Sequence, residues 1–123
     1  MTWTYLAIAA EVAIRAPEPD HRQYAIGAVG IRRDGVIVSA RNLAAALKNV
    51  HAGERNPFPK AHAEYRLIQK MGSGGVIFVC RVTKDGNLLL ARPCKRCMDL
   101  CKHRRIERVY YSINNNEFGV VLP

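Results

Sequence analysis

Two short segments place the tightest constraint on any fold of this chain. They are His62-Ala63-Glu64 and Pro93-Cys94-Lys95-Arg96-Cys97, with Cys94 32 positions after His62. Together they supply one imidazole, two thiols and one carboxylate. Zinc favours Cys and His ligands in tetrahedral geometry, and catalytic zinc sites keep three protein ligands with one position left for water. His62, Cys94 and Cys97 give that count. Glu64 separates a catalytic site from a closed structural one. A closed site has no need of a carboxylate two residues from a ligand, whereas a metal-activated water needs a proton acceptor. Whatever the fold, it has to bring these two segments to one point.

The surrounding residues predict helices at both segments. A helix over 61–71 fits Pro57 and Pro59 upstream, Leu67, Ile68 and Met71 facing inward, and Gly72 as its stop. Positions i and i+2 diverge on a regular helix, so His62 and Glu64 face one metal only at the helix mouth. A further helix is expected over 94–105, with Pro93 near its first position, where a missing N–H costs nothing. The i, i+3 spacing of Cys94 and Cys97 puts both sulfurs on one side of a first turn, and the helix N-terminus favours thiolate there. Cys101 lies seven residues beyond Cys94, about 10 Å along an intact helix, too far to share the ion. Cys101 and Cys80 therefore read as core residues. His21, His51 and His103 have no partner spacing and read as surface or loop positions.

The rest of the chain supplies strands. Trp3, Leu6, Ala7, Ala10, Ala13 and Ile14 recur at helical spacing, and Pro17 and Pro19 end that helix. Strands are expected over 24–31 and 36–40, joined at Arg32-Arg33-Asp34-Gly35 by a hairpin turn. Residues 42–60 form a long connection. Further strands are expected over 76–82, 108–113 and 118–122, with a turn at 84–87. Only four residues, 114–117, separate the last two strands. Parallel neighbours need a crossover of a dozen or more residues, so a pairing between those two is antiparallel. The order α-β-β-α-β-α-β-β predicts one domain over 1–123, of the α/β class. It is a three-layer α/β/α arrangement around a mixed five-stranded sheet with an antiparallel last strand.

The formal charge of +9, from 19 Lys and Arg against 10 Asp and Glu, favours polyanions such as nucleotides or nucleic acid. No apolar run approaches the ~20 residues that span a bilayer, so no membrane partner is expected. Residues 1–16 carry Glu11 and lack the basic start and cleavage site of a signal peptide, which makes a cytoplasmic setting the expectation.

The combination H-x-E…P-C-x-x-C, in this α-β-α context, resembles the cytidine deaminase-like superfamily, and the resemblance covers most of the chain. It implies one catalytic zinc held by His62, Cys94 and Cys97, with Glu64 as the proton shuttle. In such proteins the glutamate takes a proton from water as the water attacks the amidine carbon of a base. It then delivers protons to the ring nitrogen and the departing ammonia. The backbone of Ala63 would contact the base, and Asn42 corresponds to an asparagine that touches sugar or ring in many relatives. Tyr110, Tyr111 and Phe58 are candidates to stack on the base. Arg92, Lys95, Arg96, Lys102, Arg104 and Arg105 are candidates to hold phosphate, against their alternative as a solvated helix face. H-A-E is similar to the deoxycytidylate, tRNA adenosine and polynucleotide cytidine deaminases. The short link before the last strand is similar to the free-nucleoside branch.

The expectation is thus a hydrolytic deaminase turning cytosine to uracil in a nucleotide or in single-stranded DNA or RNA. The alternatives are a free nucleoside or another amino-heterocycle, or a non-catalytic zinc module that binds nucleic acid. The resemblance also implies a homo-oligomer.

Overall fold

A computed structural model describes residues 1–14, 24–42, 62–83 and 85–123. The elements are α1 (Thr2–Ile14), β1 (Tyr24–Ile31), β2 (Ile37–Arg41), α2 (Ala63–Met71), β3 (Val76–Thr83), β4 (Leu88–Leu89), α3 (Lys95–His103), β5 (Arg108–Ser112) and β6 (Phe118–Val121). The sheet runs β2-β1-β3-β5-β6, with β4 pairing β3 off that path. Among the described residues only β3 and β5 pair in parallel, and α3 lies in the crossover between them. The last strand pairs antiparallel with its predecessor, Tyr110 opposite Val120 and Ser112 opposite Phe118, as the short 114–117 link requires.

The burial of each strand follows its place. Residues 26–30 of β1 and 77–80 of β3 are buried without a break, as expected of central strands covered on both faces. β6, at the edge, alternates between exposed and half-buried residues. The β1–β2 hairpin turns where the sequence predicts. The Arg32 N–H donates to the Val36 carbonyl at 2.9 Å, the Asp34 carboxylate accepts the Val36 N–H at 3.1 Å, and Gly35 adopts φ 89°.

One face of the sheet carries α1. Leu6, Ala9 and Ala13 are buried there with Val29, Phe78, Cys80 and Val82. The opposite face carries α2 and α3, around Ile26, Ala28, Leu67, Ile68, Met71, Ile77, Val79, Cys101, Val109 and Tyr111. The α1 stripe differs from the sequence expectation: Ala9 is buried, while Trp3 is 38% and Ile14 61% exposed. This helix is apolar on nearly every side, so periodicity cannot select its buried face. Close approach selects it. A Cβ on Gly27 would collide with the Ala9 carbonyl oxygen and lie 2.7 Å from the Ala13 amide, so the small residues of α1 sit against that glycine.

The sheet also has one strand more than expected. A second hairpin follows β3, in which the Thr83 N–H donates to the Asn87 carbonyl at 2.9 Å and Gly86 adopts φ 87°. The returning residues form β4, with Arg81 opposite Leu89 and Val82 opposite Leu88. Asn115 holds it in place, accepting the Leu88 N–H at 2.7 Å. Among the described residues, no helix is long and apolar enough to cross a membrane.

Candidate metal centre

The two segments meet at the N-termini of α2 and α3. His62 is the N-cap of α2, with φ −77° and ψ 143°, and Cys94 is the N-cap of α3, with φ −68° and ψ 164°. Both are extended, so each side chain is aimed by the incoming chain rather than by helical spacing. This answers the geometric difficulty of an i, i+2 pair. His62 stands just outside the helix, and Glu64 projects from its first turn. It also moves Pro93 one place back from the expected first helical position, to the residue before the N-cap.

The His62 Nδ1 lies 3.3 Å from the Cys97 sulfur and 3.5 Å from the Cys94 sulfur. One donor atom from each of the three residues falls within 4.8 Å of the others, and this is the only such group of three among the described residues. Tetrahedral zinc with ordinary Zn–S and Zn–N lengths would hold a sulfur and a nitrogen about 3.6 Å apart. The donor set and its spacing therefore fit zinc, and the nitrogen that faces the sulfurs is Nδ1. His62 is 5% and Cys97 1% exposed, while Cys94 is half-buried and opens the centre to one side.

The Cys94 thiol is held far below the usual range, at about 3. A hydrogen bond from the Cys97 thiol is the main cause, and the His62 ring and the Cys97 N–H add to it against the opposing effect of burial. Both helices direct the positive ends of their dipoles here, which favours anionic ligands in the same way. Burial pushes the other two thiols up. Cys101 rises to about 12, raised further by the charges of Glu64 and Cys94, and Cys80 rises to about 11. Cys101 is wholly buried in the core and Cys80 donates to the Leu6 carbonyl at 3.1 Å, so neither joins the cluster.

Glu64 is fully buried and is one of the largest buried side chains in the protein. An ionisable carboxyl in such a place is expensive to keep unless it is partnered, and Glu64 has an interaction partner. Ala63 is likewise fully buried between the two functional residues.

The remaining candidates divide. Asn42 accepts the Ile26 N–H at 3.0 Å through its side chain, and its own N–H donates to the Ile26 carbonyl at 3.1 Å. It thus closes the open end of the β1–β2 hairpin. Tyr111 is 8% exposed in the core, with its ring laid over Gly119 where a Cβ would collide. Tyr110 stacks on Phe78, centroids 5.0 Å apart, on the other face of the sheet. Phe58, His21 and His51 lie outside the described residues.

Arg92, Lys95 and Arg96 are exposed beside the start of α3. Lys102, Arg104 and Arg105 are at the opposite end of that helix, away from the metal cluster, because α3 runs from Lys95 to His103. The six candidates are thus divided between the two ends of α3.

Sequence reasoning missed Arg66 and Lys70. The Arg66 guanidinium donates to the Arg41 carbonyl and the Lys70 ammonium to the Ser39 carbonyl, each at 2.6 Å. They tie α2 to β2, beside Asn42. Their i, i+4 spacing on one helix face was the available signal.

The profile of the family described as "Cytidine and deoxycytidylate deaminase zinc-binding region" matches residues 2–113. A comparison with curated protein sequences found no match. Among solved structures, a cytidine deaminase from Burkholderia pseudomallei is similar with a TM-score of 0.63 at 16% identity, over 99% of this chain and 92% of that one. A cytidine deaminase from Mycobacterium leprae is similar with a TM-score of 0.56 at 20% identity, over 98% and 93%. One from Mycobacterium tuberculosis gives 0.53 at 20% identity, over 91% and 85%. At these identities the likeness establishes the fold.

Proposed function

The chain belongs to the family of the cytidine and deoxycytidylate deaminase zinc-binding region, and from that membership we propose that it is a zinc-dependent hydrolytic deaminase converting cytosine to uracil. The observation that carries this reading is the buried Glu64 beside a His62–Cys94–Cys97 cluster of zinc-like spacing. His62, Cys94 and Cys97 would hold the ion, which supplies Lewis-acid activation of water at neutral pH.

The chain's own residues do the rest. Glu64, shielded from solvent, takes a proton from the attacking water and gives it to the ring nitrogen; it then takes the remaining proton from the hydroxyl added to the base and gives it to the departing amine, leaving a carbonyl and ammonia. Burial strengthens these charge-assisted exchanges by lowering the local dielectric. Ala63, between the ligand and the shuttle, offers its backbone to the base. Asn42 acts at the same mouth; its side-chain oxygen is engaged by Ile26, which leaves its amide N–H₂ to meet the substrate.

On the net charge of +9, the substrate is a nucleotide or single-stranded nucleic acid. The antiparallel β6, together with the likeness to cytidine deaminases, favours a second reading, a free nucleoside. Mass spectrometry on zinc-loaded protein separates the two. One panel holds bases, nucleosides and nucleotides; the other holds single- and double-stranded DNA and RNA. Amine-to-carbonyl exchange adds about one mass unit. Product in a panel assigns the substrate, with Glu64→Ala as the control. No product in either would reject the deaminase and leave a zinc module that binds without turnover. Self-association through Ile8, Phe118 and Val120, each 37% or more exposed, belongs to the same reading. Light scattering checks it.

A further inference from the structure

We propose a second site, at the end of the molecule away from the zinc cluster, that binds the phosphate backbone of single-stranded nucleic acid. The C-termini of α2 and α3 meet there with the 32–35 turn. An open cleft is lined by Arg32, Arg33, Asp34, Met71, Gly72 and Ser73. The Arg33 guanidinium lies over Gly74, so close that a Cβ on that glycine would sit 2.7 Å from its Nη2. The Gly74 N–H donates to the Arg104 carbonyl at 2.9 Å, which brings Arg104 and Arg105 to the same edge. Asp34 is already committed, to Arg32 at 2.8 Å and to the Val36 N–H. Among the described residues, Arg33, Arg104 and Arg105 have no ion-pair partner.

The backbone of Arg105 is the second, independent observation. Its φ is 59°, the one non-glycine residue with positive φ among the described residues. The Arg105 N–H donates to the Lys102 carbonyl at 3.1 Å and the Ile106 N–H to the Cys101 carbonyl at 3.0 Å. These are the two bonds of a Schellman cap, in which the left-handed residue is ordinarily glycine. At the end of α2 the chain does use glycine, Gly72 at φ 69°. At the end of α3 it places an exposed arginine in the strained position. Strain of this kind persists only where the surrounding structure holds it in place, and it clusters at positions that contact ligands.

Distance sets the class of ligand. The nine residues of α2 separate the two ends by about 13 Å. A mononucleotide with its base at the zinc cluster cannot reach, whereas a strand of a few nucleotides carries a phosphate across the gap. The choice of a strand rests on the deaminase reading, since the span is measured from a base at the zinc cluster, but binding can be tested without turnover. The probe is therefore oligothymidylate, which has no exocyclic amine to lose.

Zinc-loaded protein should bind labelled oligothymidylate with a linear dependence of log Kd on log salt. Arg33→Ala and Arg105→Gly should each flatten that slope by about 0.7, one single-strand phosphate contact, and Arg33→Lys should keep it. Zinc content should stay unchanged. Arg105→Gly should in addition leave Tm equal or higher, since glycine relieves the strain. Three results would overturn the proposal. One is parental slopes in both variants. Another is a lowered Tm in Arg105→Gly with unchanged binding, which would make Arg105 a helix-dipole partner only. The third is inorganic phosphate binding as tightly as the oligomer, which would leave a free-anion site.

Discussion

On the α1 face of the sheet, Tyr5, Phe78, Tyr110 and Phe118 form a continuous aromatic row, with centroid separations of 4.9, 5.0 and 6.1 Å, and Trp3 closes it edge-on to Phe118 at 5.4 Å. On the opposite face, the same central strands lie under a buried histidine, a buried carboxyl and two buried thiols. The first face is assembled from groups that gain by leaving water; the second keeps groups that lose by it. The difference teaches how so small a protein tolerates a costly centre. Its strands put one apolar core under α1 and set the costly groups into a second apolar core under α2 and α3, so the sheet separates the centre from the aromatic row.

That separation can be attacked from either face. The largest effect is expected at the centre. Chelation should abolish turnover and zinc should restore it, while Glu64→Gln should lower kcat about 10²–10⁴-fold with zinc content and Tm preserved. Loss of zinc in Glu64→Gln, seen by metal analysis, would show that the carboxyl is structural. Next, Phe78→Ala should remove about 3–5 kcal/mol of stability in denaturant titration, yet leave activity per folded molecule as before. A kcat that falls with stability would break the comparison. Gly27→Ala should cost about 1–3 kcal/mol by pushing α1 off β1, again without loss of zinc.

The smallest effect concerns thiol chemistry. The thiolate is the nucleophile, so thiols held at about 11 and 12 stay protonated and inert at pH 8. In zinc-free protein a thiol reagent should modify Cys94 first and reach Cys80 and Cys101 only on unfolding. Mass mapping after partial labelling would reveal early reaction at either buried thiol.

How much of this was legible in sequence varies with the length scale of the cause. The ligand triad, the order of the elements and the antiparallel last strand follow from spacing and link length, which are local. The extended N-caps at His62 and Cys94 were foreshadowed only as looseness at a helix mouth. The face buried by α1 was illegible because Ala and Ile cover the helix on every side, and the choice was made by Gly27 on a distant strand. β4 is two residues long, below any periodic signal, and exists because Asn115 reaches across from another turn. The basic residues of α3 read as one stripe because sequence order says nothing about which end of a helix faces a site. Arg105 reads in the sequence as one phosphate candidate among six, but its left-handed backbone is not legible there, since that depends on how the helix is capped.

His62 comes before β3 and Cys97 after it, 35 residues along the chain, yet their donor atoms are 3.3 Å apart. Zinc bound between them would join the two ends of a loop that contains β3, whose partners are β1, β4 and β5. A cross-link over a loop of that length removes chain entropy from the unfolded ensemble worth about 4 kcal/mol. The ion would thus act as a fastener on the middle of the sheet, holding the folded state against the unfolded one as well as serving the reaction.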